Sequence, residues 1–228
     1  MAKKNIRKIV VQEDGPYTVQ GNIPLVRKEQ VVSEYGEPLT WKKTGTIETP
    51  KTYDLCRCGR SRNKPFCDLS HFDFDGTETA DTAPTAARQF VIPGGRKIVV
   101  KQDIYLCTES GFCANRLTDV EKMVPETGDT QVRAQVMAMI ERCPSGSFVY
   151  AIEQDEPDIE PDLPVEIAVT VEITSDGPIP GPLWVTGNIP VERSDGKPFE
   201  TRNRVTLCNC GESKNKPLCD GTHRNQTR

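Results

Sequence analysis

The chain has 228 residues, enough for one large domain or two to three small ones, and 36% of them are hydrophobic. Its 29 basic and 33 acidic residues give a formal net charge of -4, which leaves no broad cationic surface for nucleic acid. No stretch approaches the roughly 18 apolar residues of a membrane-spanning helix, and the start of the chain has no signal-peptide pattern. We therefore expect a soluble, cytoplasmic protein with neither nucleic acid nor a membrane as partner.

The cysteine count directs the rest of the interpretation. The chain has 9 cysteines and 2 histidines. A disulfide framework normally uses an even number of thiols, and disulfides are rare in the cytosol. The cysteines therefore favour metal binding over disulfide bonding.

Residues 8–75 and 165–225 are two copies of one pattern. Each copy contains an Asp-Gly-Pro turn, a Gly-Asn-Ile-Pro segment and a Leu-Cys-x-Cys-Gly segment in the same order. The first copy carries a 14-residue insertion between Pro24 and Cys56. Three shared landmarks in one order indicate an internal repeat.

Within the repeats, apolar residues alternate with polar or small ones, as at 167–173, and Gly-Pro turns separate the alternating stretches. Such alternation predicts half-buried β-strands. We expect the repeats to form two small β-rich modules, at 1–80 and 163–228.

Residues 96–152 are predicted to form a different unit. A strand candidate at 97–105 is followed by a helix capped by Asp129 or Thr130 and by a second strand at 148–152. One helix face carries an apolar stripe that indicates packing, made of Val132, Val136, Met139 and Ile140. The whole chain is therefore predicted to be α+β, with a strand-helix-strand module between two β-rich ones.

Two segments separate these units. Residues 75–95 are predicted to be a linker or a loosely wrapped segment. Residues 153–162 contain six acidic residues and two prolines and are predicted to be a solvated connector.

Both repeats contain the motif Cys-x-Cys-x8-Cys-x3-His. The candidate ligands are Cys56, Cys58, Cys67 and His71 in the first copy and Cys208, Cys210, Cys219 and His223 in the second. Residues two apart in an extended segment share a face, so the first two cysteines of each motif can bind one iron. The third cysteine and the histidine, four apart, would share a helix face and hold a second metal ion. Asp68 and Asp220 would cap that helix, whose N-terminus would favour an anionic cluster.

The ligand set also predicts redox behaviour. A 2Fe-2S cluster with three thiolates and one neutral imidazole carries one negative charge fewer than a four-thiolate cluster, which makes it easier to reduce. A structural zinc site made of the same ligands is the alternative, and spacing alone does not exclude it.

The two motifs resemble the CDGSH iron-sulfur family, which is also called mitoNEET-like. The string Cys-x-Cys-x2-Ser-x3-Pro-x-Cys-Asp-Gly-Thr-His at 208–223 matches its pattern, and the string at 56–71 matches except that Leu69 replaces a glycine. The resemblance implies one 2Fe-2S cluster in each copy, held by three cysteines and one histidine. Members with one motif are homodimers, so the repeat here is expected to supply both halves of a pseudo-dimer within a monomer.

Three cysteines remain, Cys107, Cys113 and Cys143. The region at about 97–152 resembles a divergent single-cluster ferredoxin domain in which the central ligand of the cysteine run is often absent; Ser110 lies there in this chain. The resemblance implies either a 3Fe-4S cluster or a 4Fe-4S cluster whose fourth iron binds water, Ser110 or a group from a partner. Three ordinary buried thiols are the alternative.

Three redox centres in one small chain predict electron transfer with a redox or cluster-acceptor protein as partner. No phosphate-binding loop is present and no cysteine or histidine remains for catalysis, so we do not expect an enzyme. Reduction could couple to proton uptake at the free ring nitrogen of His71 or His223. The alternatives are an iron-sulfur cluster donor or redox and pH sensor, and a zinc-stabilised interaction module.

Overall fold

The computed structural model describes residues 7–225 and has the predicted α+β composition. The strands are β1 (Lys8–Val11), β2 (Tyr17–Gln20), β3 (Leu25–Val32), β4 (Pro38–Ile47), β5 (Thr52–Leu55), β6 (Phe90–Val91), β7 (Val99–Gln102), β8 (Phe148–Ala151), β9 (Glu166–Thr174), β10 (Gly177–Thr186), β11 (Val191–Glu192) and β12 (Arg204–Leu207). The α-helices are α1 (Thr85–Arg88), α2 (Val120–Met123) and α3 (Thr130–Arg142). Within residues 7–225, no helix is both long enough and apolar enough to cross a membrane.

Each of the two larger sheets combines strands from both repeats. One sheet has the order β11-β1-β2-β5, and the other has the order β12-β10-β9-β3-β4. In the first sheet, β1, β2 and β5 come from the first repeat, and β11 of the second repeat pairs with β1. In the second sheet, β9, β10 and β12 come from the second repeat, and β3 of the first repeat pairs with β9. The repeats are therefore interleaved.

The strand exchange is reciprocal. β11 pairs in parallel with β1, and β3 pairs in parallel with β9. The backbone N–H of Ile9 donates to the carbonyl of Pro190, and that of Ile167 donates to the carbonyl of Pro24, both at 2.9 Å. Both prolines end a Gly-Asn-Ile-Pro segment. The carbonyl at this motif position therefore accepts a hydrogen bond from the other repeat in both cases. The pairing gives the intramolecular pseudo-dimer that the repeat predicts.

One apolar core is shared by the two repeats. It contains buried side chains from both, among them Ile9, Val19, Leu25, Leu55, Ile167, Leu183, Val191 and Leu207. The insertion in the first repeat lengthens β3 and adds β4, which pairs with it as a hairpin. Burial of the apolar side chains that the two larger sheets contribute to this core is the main stabilising contribution.

Strand β9 differs from the half-buried strand predicted at 167–173. Ile167 is buried on one face, and Thr170 and Glu172 are buried on the other. Both faces of the strand are therefore covered, and the polar face lies against part of the second candidate site.

The central module has the predicted order of strand, helix and strand. Asp129 caps α3 by accepting a hydrogen bond from the backbone N–H of Gln131 at 2.7 Å. Val136, Met139 and Ile140 are buried in its core. The first strand is shorter than predicted, because a 3₁₀ turn at Ile104–Leu106 follows it, and β6, outside the predicted module, pairs with it.

The 75–95 segment is more ordered than the loose wrapping predicted for it. The N–H groups of Thr79 and Ala80 donate to the carbonyl of Lys216 at 2.8 and 2.9 Å. The buried Arg193 donates to the carbonyl of Ala80 at 2.9 Å. The segment is thus tied to the second repeat. The acidic connector at 153–162 is mostly exposed, as predicted.

Candidate metal centres

In each repeat, the four candidate ligands form two close pairs. In the first site, the Sγ atoms of Cys56 and Cys58 are 3.9 Å apart, and Cys67 Sγ is 3.5 Å from His71 Nδ1. The corresponding distances in the second site are 3.6 and 3.3 Å. Within residues 7–225, no three Cys, His, Asp or Glu side chains are grouped closely enough to hold a single metal ion. Soft thiolates with imidazole fit iron, and one pair of donors for each of two irons is the arrangement that a binuclear cluster requires.

The loop between the ligands has the same hydrogen bonds in both sites. The hydroxyl of Ser61 donates to the carbonyl of Phe66 at 2.6 Å, and Asp68 accepts from the N–H of Arg62 at 2.8 Å. Ser213 and Asp220 make the equivalent bonds at 2.7 and 2.8 Å. The serine and aspartate of the motif therefore shape the loop that presents the ligands.

The helix predicted between the third cysteine and the histidine is wrong. Leu69 and Gly221, which lie between these ligands, have φ angles of +67° and +87°. This left-handed conformation interrupts a right-handed helix. Asp68 and Asp220 therefore close a loop. Within residues 7–225, the only helical segment that includes a candidate ligand is the 3₁₀ turn Thr222–Asn225, which contains His223.

The first two cysteines of each motif also lie outside regular structure. β5 ends at Leu55 and β12 ends at Leu207, and the first cysteine of each motif follows directly, with Cys58 and Cys210 in a bend. In both copies the two thiols lie close together.

The two sites touch each other through two glycines. A Cβ atom on Gly59 would lie 2.3 Å from the carbonyl oxygen of Cys210, and one on Gly211 would lie 2.5 Å from that of Cys58. Both glycines have positive φ, at +76° and +86°. Only glycine fits this crossing, where the backbones of the two candidate sites are in contact.

A buried arginine lies within the first site. Arg57, between the first two ligands, is 1% exposed. Its Nη1 donates to the carbonyl of Gln12 at 3.0 Å, Nη2 donates to the carbonyl of Gly76, and Nε has no partner among the described residues. Its guanidinium carbon is 5.7 and 5.5 Å from the ring centroids of Tyr17 and Phe74. The second repeat has Asn209 at this position.

A buried carboxylate lies beside the histidine of the second site. Glu172 Oε2 is 3.1 Å from His223 Nε2 and also accepts from Arg224. Glu172 is 0% exposed, and its Oε1 has no partner within residues 7–225. The two ring nitrogens of His223 therefore have different neighbours: Nε2 faces Glu172, and Nδ1 faces Cys219. For His71, no hydrogen bond or ion pair of Nε2 is found within the described part of the chain.

The two sites differ in exposure. Cys219 and His223 are buried, whereas Cys67 and His71 are half-buried. Leu69, next to the first site, is 69% exposed in its left-handed conformation.

The thiols of the central module lie near one another. Burial, with smaller contributions from the charges of Cys143 and Cys107, raises the pKa of Cys113 to about 11. Burial also raises the pKa of Cys107, where the charge of Cys143 adds to the effect. Metal binding would therefore have to displace protons from these thiols.

Polar side chains surround the central thiols. Cys143 Sγ is 3.4 Å from the hydroxyl of Ser145. Ser110, the sequence candidate for a fourth ligand, is buried, and its carbonyl accepts from Gln30 Nε2 at 2.9 Å. Thr108, directly after Cys107, has a buried hydroxyl without a partner among the described residues. Buried hydroxyl groups normally have a hydrogen-bond partner. These hydroxyls therefore favour a bound polar group between the three cysteines over three ordinary buried thiols.

The central module contacts the second site. Asn215 Nδ2 donates to the carbonyl of Tyr105 at 2.6 Å. A Cβ atom on Gly221 would lie 3.0 Å from the side chain of Glu109. The segment that follows Cys107 therefore packs on the loop that carries the second site.

Several residues around the sites lie outside the motifs or carry no signal in them. Glu172 and Thr170 are far from the motifs in sequence, and Tyr17 of the first repeat donates from its hydroxyl to the carbonyl of Cys208 at 2.7 Å. The polar residues inside the alternating pattern of β9 were the available signal for Glu172. Arg57 lies within the motif, but nothing in the sequence marks it as buried.

The comparisons with known proteins agree with this arrangement. Residues 14–72 and 180–224 match the family model described as iron-binding zinc finger, CDGSH type. Residues 94–153 match the model described as divergent 4Fe-4S mono-cluster. Searches of curated proteins and of solved structures found no match.

The chain is therefore an iron-sulfur protein. More specifically, it carries two segments that match the CDGSH-type iron-binding model, on either side of a segment that matches the divergent 4Fe-4S mono-cluster model.

Proposed function

We propose that this protein is an electron carrier, and not an enzyme by itself, with three iron-sulfur centres. Two 2Fe-2S clusters would be held by the paired ligands of the first and second sites. A 3Fe-4S or 4Fe-4S cluster would be held by Cys107, Cys113 and Cys143. Each bound cluster supplies a centre that accepts and returns one electron.

The pairing of the donors is the observation that carries the proposal. Two donor pairs at each site, separated by 3.3 to 3.9 Å within a pair, would supply two ligands for each of two irons. Contacts join the first site to the second, and the second to the central module, and they support a series of three such centres. A carrier of this kind would exchange electrons with a separate redox protein and would act as a monomer with its internal pseudo-dimer.

Iron and acid-labile sulfide counts on protein purified without air test the proposal. We expect about eight irons per chain with a tetranuclear central cluster, or about seven with a trinuclear one. A colourless protein that contains only zinc, when iron was supplied, would contradict it.

The change His223→Cys tests the ligand set. An added thiolate makes the centre more negative, so the cluster should remain and its reduction potential should fall. Protein-film or dye-mediated titration measures this potential. An unchanged potential would show that His223 is not a ligand.

A cluster donor is the second candidate, and the exposure of the first site favours it. Cys67 and His71 are more accessible than the equivalent residues of the second site. A donor should transfer colour to an apo-ferredoxin and lose its own. A carrier should keep its colour through repeated cycles of reduction and oxidation.

A further inference from the structure

We infer that Arg57 and Glu172 make the two CDGSH-type sites electronically unequal, so that the first site takes up an electron more readily than the second. The inference deepens the proposed carrier function and rests on it. The two ligand sets are the same, so the inequality comes from the residues around them.

Arg57 places a fixed positive charge in the first site. It lies between Cys56 and Cys58, is almost fully buried, and has no ion pair among the described residues. The guanidinium group of arginine always carries its positive charge in proteins. A buried cation favours the more negative, reduced state of a neighbouring centre, because little water screens the interaction. Asn209 at the second site is neutral and instead donates to the carbonyl of Gly181 at 3.0 Å.

Glu172 acts in the opposite direction at the second site. Its carboxylate accepts from Nε2 of His223, which leaves Nδ1 for the metal and makes the imidazole a more basic ligand. A buried negative charge and a more basic ligand both favour the oxidised state. Arg224 pairs with the same carboxylate and offsets part of its charge, but its side chain is 25% exposed and therefore partly screened by water. Glu172 is thus a positioning residue for the second site.

The contacts between the sites indicate the order in which an electron would pass between them. Gly59 and Gly211 hold the backbones of the two sites against each other, and Glu109 of the central module lies over Gly221 of the second site. An electron that enters at the central module would therefore pass to the second site and then to the first. In the last step one electron would leave a cluster held at the second site and enter a cluster held at the first.

Anaerobic redox titration of the iron-loaded full chain, followed by visible absorption and electron paramagnetic resonance, tests the inference. We expect two separate one-electron steps for the binuclear centres. Variants that lose one site each, Cys67→Ser and Cys219→Ser, assign each step. The step of the first site should have the higher potential.

Arg57→Asn copies the residue of the second site and should lower the potential of the first site only. Arg57→Lys keeps the charge and should largely restore it. Glu172→Gln should raise the potential of the second site only. Glu166→Gln is the matched control, because Glu166 is a buried carboxylate on the same strand that pairs with Lys28 at 2.8 Å instead of with a ligand.

Equal potentials for the two sites, or potentials that neither Arg57→Asn nor Glu172→Gln shifts in the stated direction, would overturn the inference. If Arg57→Asn does not retain its cluster, Glu172→Gln and the order of the wild-type potentials decide. Failure of the carrier function looks different, since iron would then be missing or the binuclear centres would show no reversible one-electron step.

Discussion

The first and second CDGSH-type sites share their ligand loops and differ in nearly everything around them. The serine and aspartate bonds that shape the loops agree to within 0.1 Å between the copies. Around the loops, however, the first site has a buried arginine and a half-buried histidine, and the second has a buried carboxylate and a buried histidine. The motif thus sets which atoms can bind iron. The environment of each site depends on residues that the motif does not specify, Arg57 in the first copy and Glu172 in the second.

The two hairpins that precede the motifs differ in length. β1 and β2 have four residues each, whereas β9 and β10 have nine and ten. The longer hairpin includes Glu172, which lies against His223. The buried carboxylate beside the second site therefore comes from the longer hairpin, whereas Arg57 comes from the motif of the first copy.

Loss of one ligand should produce the largest effect. Cys219→Ser is expected to remove about two irons per chain and the spectrum of the second site, because a hydroxyl is a poor substitute for a thiolate at iron. Cys67→Ser is the matched change at the first site. Iron analysis and difference spectra measure both, and loss of all clusters from either variant would show that the sites do not load independently.

Gly59→Ala should disturb both sites together. The added Cβ atom would lie 2.3 Å from the carbonyl oxygen of Cys210, and the backbone has a positive φ. We expect a loss of more than about 2 kcal/mol of unfolding free energy. Gly36→Ala is the control, because its φ is +78° but no atom lies within 4 Å, so only the backbone strain remains. Equal losses for the two variants, measured by denaturant unfolding, would contradict the proposed crossing.

Tyr17→Phe should weaken the second site, although Tyr17 belongs to the first repeat. Its hydroxyl donates to the carbonyl of Cys208, and the change leaves that buried carbonyl without this donor, at a cost of about 1 to 3 kcal/mol. Tyr53→Phe is the control, because the Tyr53 hydroxyl donates to Ile23 within the same repeat. The rate of cluster loss from each site after chelator addition measures the effect. Faster loss from the first site alone would contradict the prediction.

Leu69→Gly should produce the smallest effect, a gain of about 1 kcal/mol in unfolding free energy. Glycine relieves the left-handed strain at φ +67° and is the residue that the second motif has at this position, Gly221. Phe72→Ser is the control, because Phe72 is 79% exposed and has no positive φ. A loss of stability in Leu69→Gly would show that the leucine side chain makes contacts that outweigh the strain.

The sequence was sufficient for the fold class, the repeat and the central helix with its Asp129 cap, because each depends on local periodicity or spacing. It was not sufficient for the conformation of the ligand loops. The four-residue separation of Cys67 and His71 is compatible with a helix, and only the left-handed backbone at Leu69 excludes one. A glycine at the equivalent Gly221 was the sole sequence signal against that helix.

Long-range partners were beyond the reach of sequence patterns. The burial of Arg57 and the pairing of Glu172 with His223 depend on how distant strands meet. The exchange of β3 and β11 between the sheets depends on the same tertiary arrangement, even though the repeat itself indicates a pseudo-dimer.

The exchanged strands also affect the order in which the molecule can be completed during synthesis. β1 and β3 leave the ribosome long before β11 and β9, which are their partners in the finished sheets. Two strand edges of the amino-terminal half therefore stay open until most of the polypeptide has been translated. Metal captured early by the nascent first motif would therefore bind to a sheet that still lacks its partner strands.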